Sequence, residues 1–358
     1  MTGDRTNGDR TTATAPLRFG LLGAARISEL ALVTPARATG DRLVTVAARD
    51  RARAERFASA HGVERVCADY AAVCADDDVE VVYNPLANAL HGPWNLAAVR
   101  AGRHVLSEKP FAGNATEARE VADAARAAGV TVVEGFHYLH HPLMRRMHAL
   151  LESGELGELR AVEAHLTMPA PPDGDPRWSY ELAGGAVMDL GCYGLHAHRT
   201  LARWAGGEPR VVGAVGGERA GRPGVDEWLE TDLAYPGGAT GFVRCSMNAQ
   251  WRVTLRLVGS SGEALAANFV LPHRDDSIQV RTKTGERTEH LGTRSSYLYQ
   301  LEALRAHLRG GTPFPIGTDD AVATAELVDA TYTAAGFSPR PSLATARAAA
   351  GPLPKETR

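Results

Sequence analysis

Cysteine, aromatic residues, long apolar runs and any strong excess of charge are all scarce in this chain, and each shortage removes a class of protein. Four cysteines, Cys67, Cys74, Cys192 and Cys245, occur in 358 residues. None forms a CxxC pair, so no disulfide scaffold is expected, and reduced thiols in a cytoplasm are. No apolar run approaches the ~20 residues that a membrane-spanning helix needs. The first sixteen residues are polar, with a repeated Gly-Asp-Arg, and lack the apolar stretch of a secretory signal. A disordered tail is expected over 1–16. The net charge of −3 offers no general attraction to nucleic acid or to an anionic membrane. The remainder, 44% hydrophobic and 23% charged, suits a globular protein, and its length suggests two domains.

From Leu17 short apolar runs alternate with helical stretches. "LRFGLLG", "RLVTVAA", "VEVVYNPLA", "HVLSEKP" and "VTVVEGF" read as strands. Helices are expected from Arg26, from Arg51, over Pro93–Arg100 and over Ala115–Ala128. Such alternation predicts a doubly wound parallel sheet, a Rossmann domain over 17–138. The first turn, "GLLGAARIS", places Gly23, Ala25 and Ser28 where a dinucleotide fingerprint has its three glycines. Small residues let the backbone approach a pyrophosphate resting on the next helix. At the end of the second strand, where an acid would bind a ribose diol, the chain reads Ala48, Arg49, Asp50. A guanidinium suits a 2′-phosphate, so NADP is preferred over NAD, which remains possible. The competing reading makes Asp50 a helix cap and Arg49 a solvated side chain.

After Pro142 the pattern changes to closely spaced strands with Gly and Pro between them. They are "LRAVEAHLTM", "RVVGAV", "WLETDLAY", "TGFVRCSM", "VTLRLVGS" and "EALAANFV". These predict a second, α+β domain over 139–336 with an open, mostly antiparallel sheet. Helices are expected at Ala186–Trp204, Tyr297–Arg309 and Ala321–Ala335, and a flexible end over 337–358. On the first of these helices Asp189 and Tyr193 are i, i+4 neighbours, with His196 a further turn along. A satisfied buried histidine is the simpler reading of His196. Arg177, Trp178 and Tyr180 are candidate walls of a substrate pocket. His137, His140 and His141 cluster without a well-spaced carboxylate, so no metal site is expected.

With these pieces in order, the chain resembles the glucose–fructose oxidoreductase/inositol dehydrogenase (Gfo/Idh/MocA) family. The resemblance is carried by "VVYNPLANALHGPWNLAAVRAGRHVLSEKPFA", by "GFHYLHHP" as a linker and by "GGAVMDLGCY" as a substrate helix. It implies hydride transfer between a nicotinamide and a hydroxyl or carbonyl of a sugar, cyclitol or trans-diol. Lys109 and Asp189 match family positions, and Tyr193 is similar to the tyrosine of the dihydrodiol dehydrogenase/D-xylose dehydrogenase branch. Catalytic roles are therefore expected for Lys109, Tyr193 and Asp189, with Lys109 lowering the pKa of Tyr193. Cofactor contacts are expected from Gly23, Ala25, Arg26, Ile27, Arg49, Leu86, Asn88, His91, Glu108 and Lys109. Leu139 stands where many members have arginine. A homodimer or homotetramer through the second sheet is also implied. The rival readings are a cofactor-retaining glycoside hydrolase and a nucleotide- or sugar-sensing regulator.

Overall fold

The computed structural model describes residues 15–342. The tail expected over 1–16 therefore lies outside the described residues except for Ala15 and Pro16, whose carbonyls accept from Arg309.

The first domain carries strands β1 (Arg18–Leu22), β2 (Arg42–Ala47), β3 (Arg65–Val66), β4 (Val81–Asn84), β5 (His104–Ser107) and β6 (Val132–Glu134). Between them lie helices α1 (Thr34–Thr39), α2 (Arg51–His61), α3 (Tyr70–Ala75), α4 (His91–Arg100) and α5 (Ala115–Ala128). All strand pairs are parallel, in the order β3-β2-β1-β4-β5-β6. That is the doubly wound order, whose direction reverses between β1 and β4 and opens a crevice at their carboxyl ends. The central strands are apolar on both faces because helices cover both: every residue of β4 is buried. The helix expected from Arg26 begins later, as a π-helical turn over Glu29–Val33 that runs into α1. Strand β3 and α3 were not foreseen; two residues of strand carry no periodicity to read.

The second domain holds α6 (Pro142–Glu152), β7 (Leu159–Thr167), α7 (Cys192–Arg199), β8 (Arg210–Glu218), β9 (Asp226–Ala234), β10 (Thr240–Ser246), β11 (Arg252–Gly259), β12 (Gly262–Ala266), β13 (Ser277–Thr282) and β14 (Gly285–His290). Its sheet runs β14-β13-β12-β11-β7-β10-β9-β8, antiparallel except for the parallel β7–β10 pair. One face packs on α6 and α7 and on the segment before α7.

Two helices then return toward the first domain. From α8 (Ser296–Gly310), Tyr297, Leu301 and Leu304 fill the same apolar cluster as Leu21, Leu32 and Val46. From α9 (Thr318–Ala334), Ala321 joins the other face of the first sheet, while Leu327 and Tyr332 join the second domain's core. The Asp329 carboxylate also accepts the backbone N–H of Ala115, at the start of α5. The end expected to be flexible from residue 337 is anchored as far as it is described. Arg340 is 1% exposed and pairs with Asp226, and it also donates to the carbonyls of Gly184 and Gly224. Residues 343–358 of that expectation lie outside the described residues.

Candidate active site

The nucleotide turn is built as its residue types require. Gly23 has φ of +93°, a left-handed conformation that favours glycine, and a Cβ there would lie 3.0 Å from Leu86 Cδ2. Its N–H donates to the Ala47 carbonyl at 2.7 Å, joining the ends of β1 and β2. Arg26 is exposed, Ala25 is half-buried, and Ile27 packs on the first domain's core. Ser28 is fully buried with no hydrogen-bond partner for its Oγ. A cavity of about 350 Å³ beside the turn is lined by Ala24, Ala25, Arg26, Arg53 and Arg56 among others. Small residues, a backbone open to approach and converging guanidiniums fit a dinucleotide phosphate.

At the end of β2, Arg49 is exposed. The Asp50 carboxylate caps α2 by accepting from Ala52 N at 3.0 Å, so the helix-cap reading of Asp50 holds. Arg53 donates to the Ala24 carbonyl at 2.8 and 3.1 Å and braces the turn.

The carboxyl ends of β4 and β5 are joined by polar bonds. Asn84 donates to Asn95, which donates to Ser107. His91 is buried. Its Nδ1 lies 2.6 Å from the Pro110 carbonyl and its Nε2 lies 2.8 Å from that of Leu86. Burial pulls its pKa down to about 4, against the two carbonyls, and the ring lies between the strand-β4 exit and the turn after Lys109. Asn88 donates to the Ala183 carbonyl, across to the second domain. Glu108 does not face an open cleft. Its buried carboxylate accepts from Tyr83 Oη at 2.8 Å, and burial raises its pKa.

Lys109, preceding a cis proline, points the other way. Its ammonium donates to the Asp189 carbonyl oxygen at 2.6 Å and to Asp189 Oδ1 at 3.1 Å. It lies 5.1 Å from the centroid of the Tyr193 ring. Asp189 sits in a π-helical turn, Val187–Gly191, that leads into α7. The expected helix Ala186–Trp204 is thus broken into a π turn, α7 and a separate 3₁₀ turn at Ala202–Trp204. Turns of the first kind recur at functional sites. Gly184 and Gly185 let it begin close to its neighbours, and Asp226 Oδ2 accepts from Val187 N at 2.7 Å. The second oxygen of Asp189 accepts from Arg177 Nε at 2.7 Å. Burial alone would raise the pKa of Asp189, but the Lys109 and Arg177 charges outweigh it and hold it at about 2. Burial opposes the Lys109 charge, and Asp189 more than restores it.

The structure thus brings Lys109, Asp189 and Tyr193 together and adds Arg177. Of the other candidate pocket walls, Trp178 is core, with its Nε1 donating to Pro171, and Tyr180 lies under the Arg340 guanidinium. The expected lowering of the Tyr193 pKa is overturned. Burial pushes the phenol well above its ordinary value, and the neighbouring Tyr297, Glu108, Cys192 and Asp189 act in the same sense; its hydroxyl lies 3.3 Å from His137 Nε2. His196 is the satisfied buried histidine of the simpler reading, held between Tyr138 Oη and Asp320 Oδ2. The triplet His137, His140 and His141 diverges: His137 stacks on Tyr297, His140 leans on Phe314, and His141 caps α6. Sequence reasoning missed Glu134. It is a buried carboxyl that accepts from Phe111 N just beyond the Lys109 turn, and its position at the end of β6 was the available signal.

Residues 17–136 match the oxidoreductase family with an NAD-binding Rossmann fold, and residues 144–265 match the GFO/IDH/MocA C-terminal domain. The chain belongs to the Gfo/Idh/MocA oxidoreductase family. A D-xylose 1-dehydrogenase (NADP(+)) of Haloferax volcanii is 33% identical over 322 residues, 89% of this chain and 97% of the relative. A dTDP-3,4-didehydro-2,6-dideoxy-α-D-glucose 3-reductase of Streptomyces antibioticus is 35% identical, covering 74% of this chain and 82% of the relative. Among solved structures, a 3-ketoreductase from Actinomadura kijaniata in complex with NADP and TDP-benzene superposes with a TM-score of 0.82. It is 29% identical and covers 89% of this chain and 98% of that one. No helix among the described residues is long and apolar enough to cross a membrane.

Proposed function

We propose that this oxidoreductase uses NADP to interconvert a hydroxyl and a carbonyl on a sugar or a related diol, with Tyr193 exchanging the proton and Lys109 stabilising charge on the reacting oxygen. The observation that carries the proposal is the convergence of Lys109, Asp189 and Tyr193 at the carboxyl edge of the parallel sheet. A bound nicotinamide supplies or takes the hydride. Tyr193, kept protonated by burial, is ready to give its proton to a carbonyl oxygen. Lys109 keeps its charge and stabilises the oxygen as it becomes negative. Asp189 holds that ammonium on one side and Arg177 on the other.

The relatives are dehydrogenases and reductases, which favours redox chemistry over the hydrolase and regulator readings. Their substrates are a pentose and a nucleotide-linked keto sugar, so both classes belong in the assay. Aldoses, cyclitols, trans-diols and dTDP-linked keto sugars are offered with each cofactor and followed at the nicotinamide absorbance. Turnover of none of them would refute the proposal.

The NADP preference rests on Arg49 and on the capture of the Asp50 carboxylate by its own helix. A hydrogen bond to a charged group contributes roughly 1.5–3 kcal/mol, or about tenfold to a hundredfold in affinity. Arg49→Ala is expected to raise the KM for NADP by that factor and to leave the KM for NAD unchanged. Equal losses with both cofactors would remove Arg49 from phosphate recognition. Self-association is assigned to the exposed face and edge of the second sheet, where Val215 and Trp251 are more than half exposed. A monomer in analytical ultracentrifugation would contradict that assignment.

A further inference from the structure

The hydroxyl of Tyr193 also meets a second, buried chain of groups. His137 Nε2 lies 3.3 Å from Tyr193 Oη, and His137 Nδ1 lies 2.8 Å from Ser296 Oγ. The His137 ring is stacked on Tyr297 with centroids 3.7 Å apart, which fixes its plane and aims each nitrogen at one partner. Both His137 and Ser296 are 0% exposed. The three residues come from the segment after β6, from α7 and from the first turn of α8, so only the fold brings them into line.

We propose that His137 is the proton relay of Tyr193, exchanging the phenolic proton with Ser296 through its two ring nitrogens. This rests on the reading of Tyr193 as the group that exchanges a proton with substrate. In the oxidative direction a protonated phenol cannot take the substrate's proton until it has passed on its own. A neutral imidazole, with a lone pair on Nε2 toward the phenol, is the acceptor that step needs. Burial holds His137 neutral, and the Lys109 charge acts in the same sense. The transfer balances. Tyr193 Oη gains the substrate hydroxyl proton and gives its own to Nε2. The Nδ1 proton passes to Ser296 Oγ, and the hydroxyl proton of Ser296 leaves to water. One proton enters, one departs, and the imidazole changes tautomer. The reverse sequence, run through the cleft after product departs, restores it. Ser295 Oγ and Gln300 Oε1, on the same stretch of α8, and His273 Nδ1 are buried without a protein partner. Groups of that kind hold internal water, which gives the released proton an exit.

The test is oxidation kinetics with cofactor and substrate saturating. His137→Phe, which keeps the stack on Tyr297, is expected to lower kcat at least tenfold with KM changed less than about threefold. Millimolar imidazole is expected to restore part of the rate to His137→Ala and none to Tyr193→Phe. An unchanged kcat in His137→Phe overturns the relay. A loss that imidazole does not repair, with a pH–rate profile of wild-type shape, also overturns it, because it marks a purely structural residue. If the His137 variants do not fold, Ser296→Ala decides: a lower kcat at unchanged KM with an altered solvent isotope effect supports the relay, and any other result overturns it. Tyr193→Phe run in parallel separates the two claims. Full activity in that variant would refute the role of Tyr193 itself.

Discussion

Lys109 and Asp189 show how one buried pair sets both activity and acid tolerance. The chain has only three lysines, Lys109, Lys283 and Lys355, so a lysine at the end of a central strand stands out against an arginine-rich background. Lys109→Met is expected to lower kcat by about a hundredfold or more while cofactor still binds, as read by nucleotide titration. An unfolded aspartate titrates near ~3.9, whereas Asp189 in the folded chain is held at about 2. A depressed carboxyl stabilises the fold fully above the unfolded value and loses that contribution as pH falls through the folded one. The stability gap between wild type and Asp189→Asn in urea unfolding is therefore expected to be about 2–3 kcal/mol above pH 4 and to shrink toward pH 2. These two residues were legible because a strand exit and an i, i+4 helix spacing are local patterns. The Tyr193–His137 contact was not, since it joins positions 56 apart in the chain. Nor was the environment that raises the Tyr193 pKa, because burial belongs to the packed interior and not to any motif.

Among the elements, the π turn before α7 depends on the far end of the chain. Asp226 accepts the first N–H of that turn with one oxygen and the Tyr332 hydroxyl with the other, and Arg340 neutralises it. Arg340→Ala leaves a buried carboxylate unpaired and is expected to cost about 3–5 kcal/mol of stability, measured by denaturant unfolding. If the π turn shifts with Asp226, kcat falls as well. Elements were legible where hydrophobic period and caps agreed: α5 runs over Ala115–Ala128 as expected, with Asn114 accepting from Glu117 N. They were illegible where the chain is polar and exposed. Strand β14, "GERTEH", has five of its six residues exposed and pairs only with β13, so no apolar alternation marks it. The π turn is likewise silent, because its residue pattern is that of an ordinary helix.

Across the whole molecule, the two sheets share helices that come late in the chain. Helix α8 follows the second sheet in sequence yet fills the first domain's interior, and α9 packs on both. Long returns of this sort leave no local trace in the sequence. Heating is expected to give one cooperative calorimetric transition. Two resolved transitions would show that the shared helices do not couple the halves. The placement of α8 also governs how the protein can be recombined. A chimera that exchanges nucleotide-binding domains by joining chains after residue 138 would keep a foreign α8 against the new sheet and would supply Ser296 from one parent and His137 from the other. The unit that can be transplanted intact is discontinuous: residues 15–138 together with 296–310, exchanged as a set.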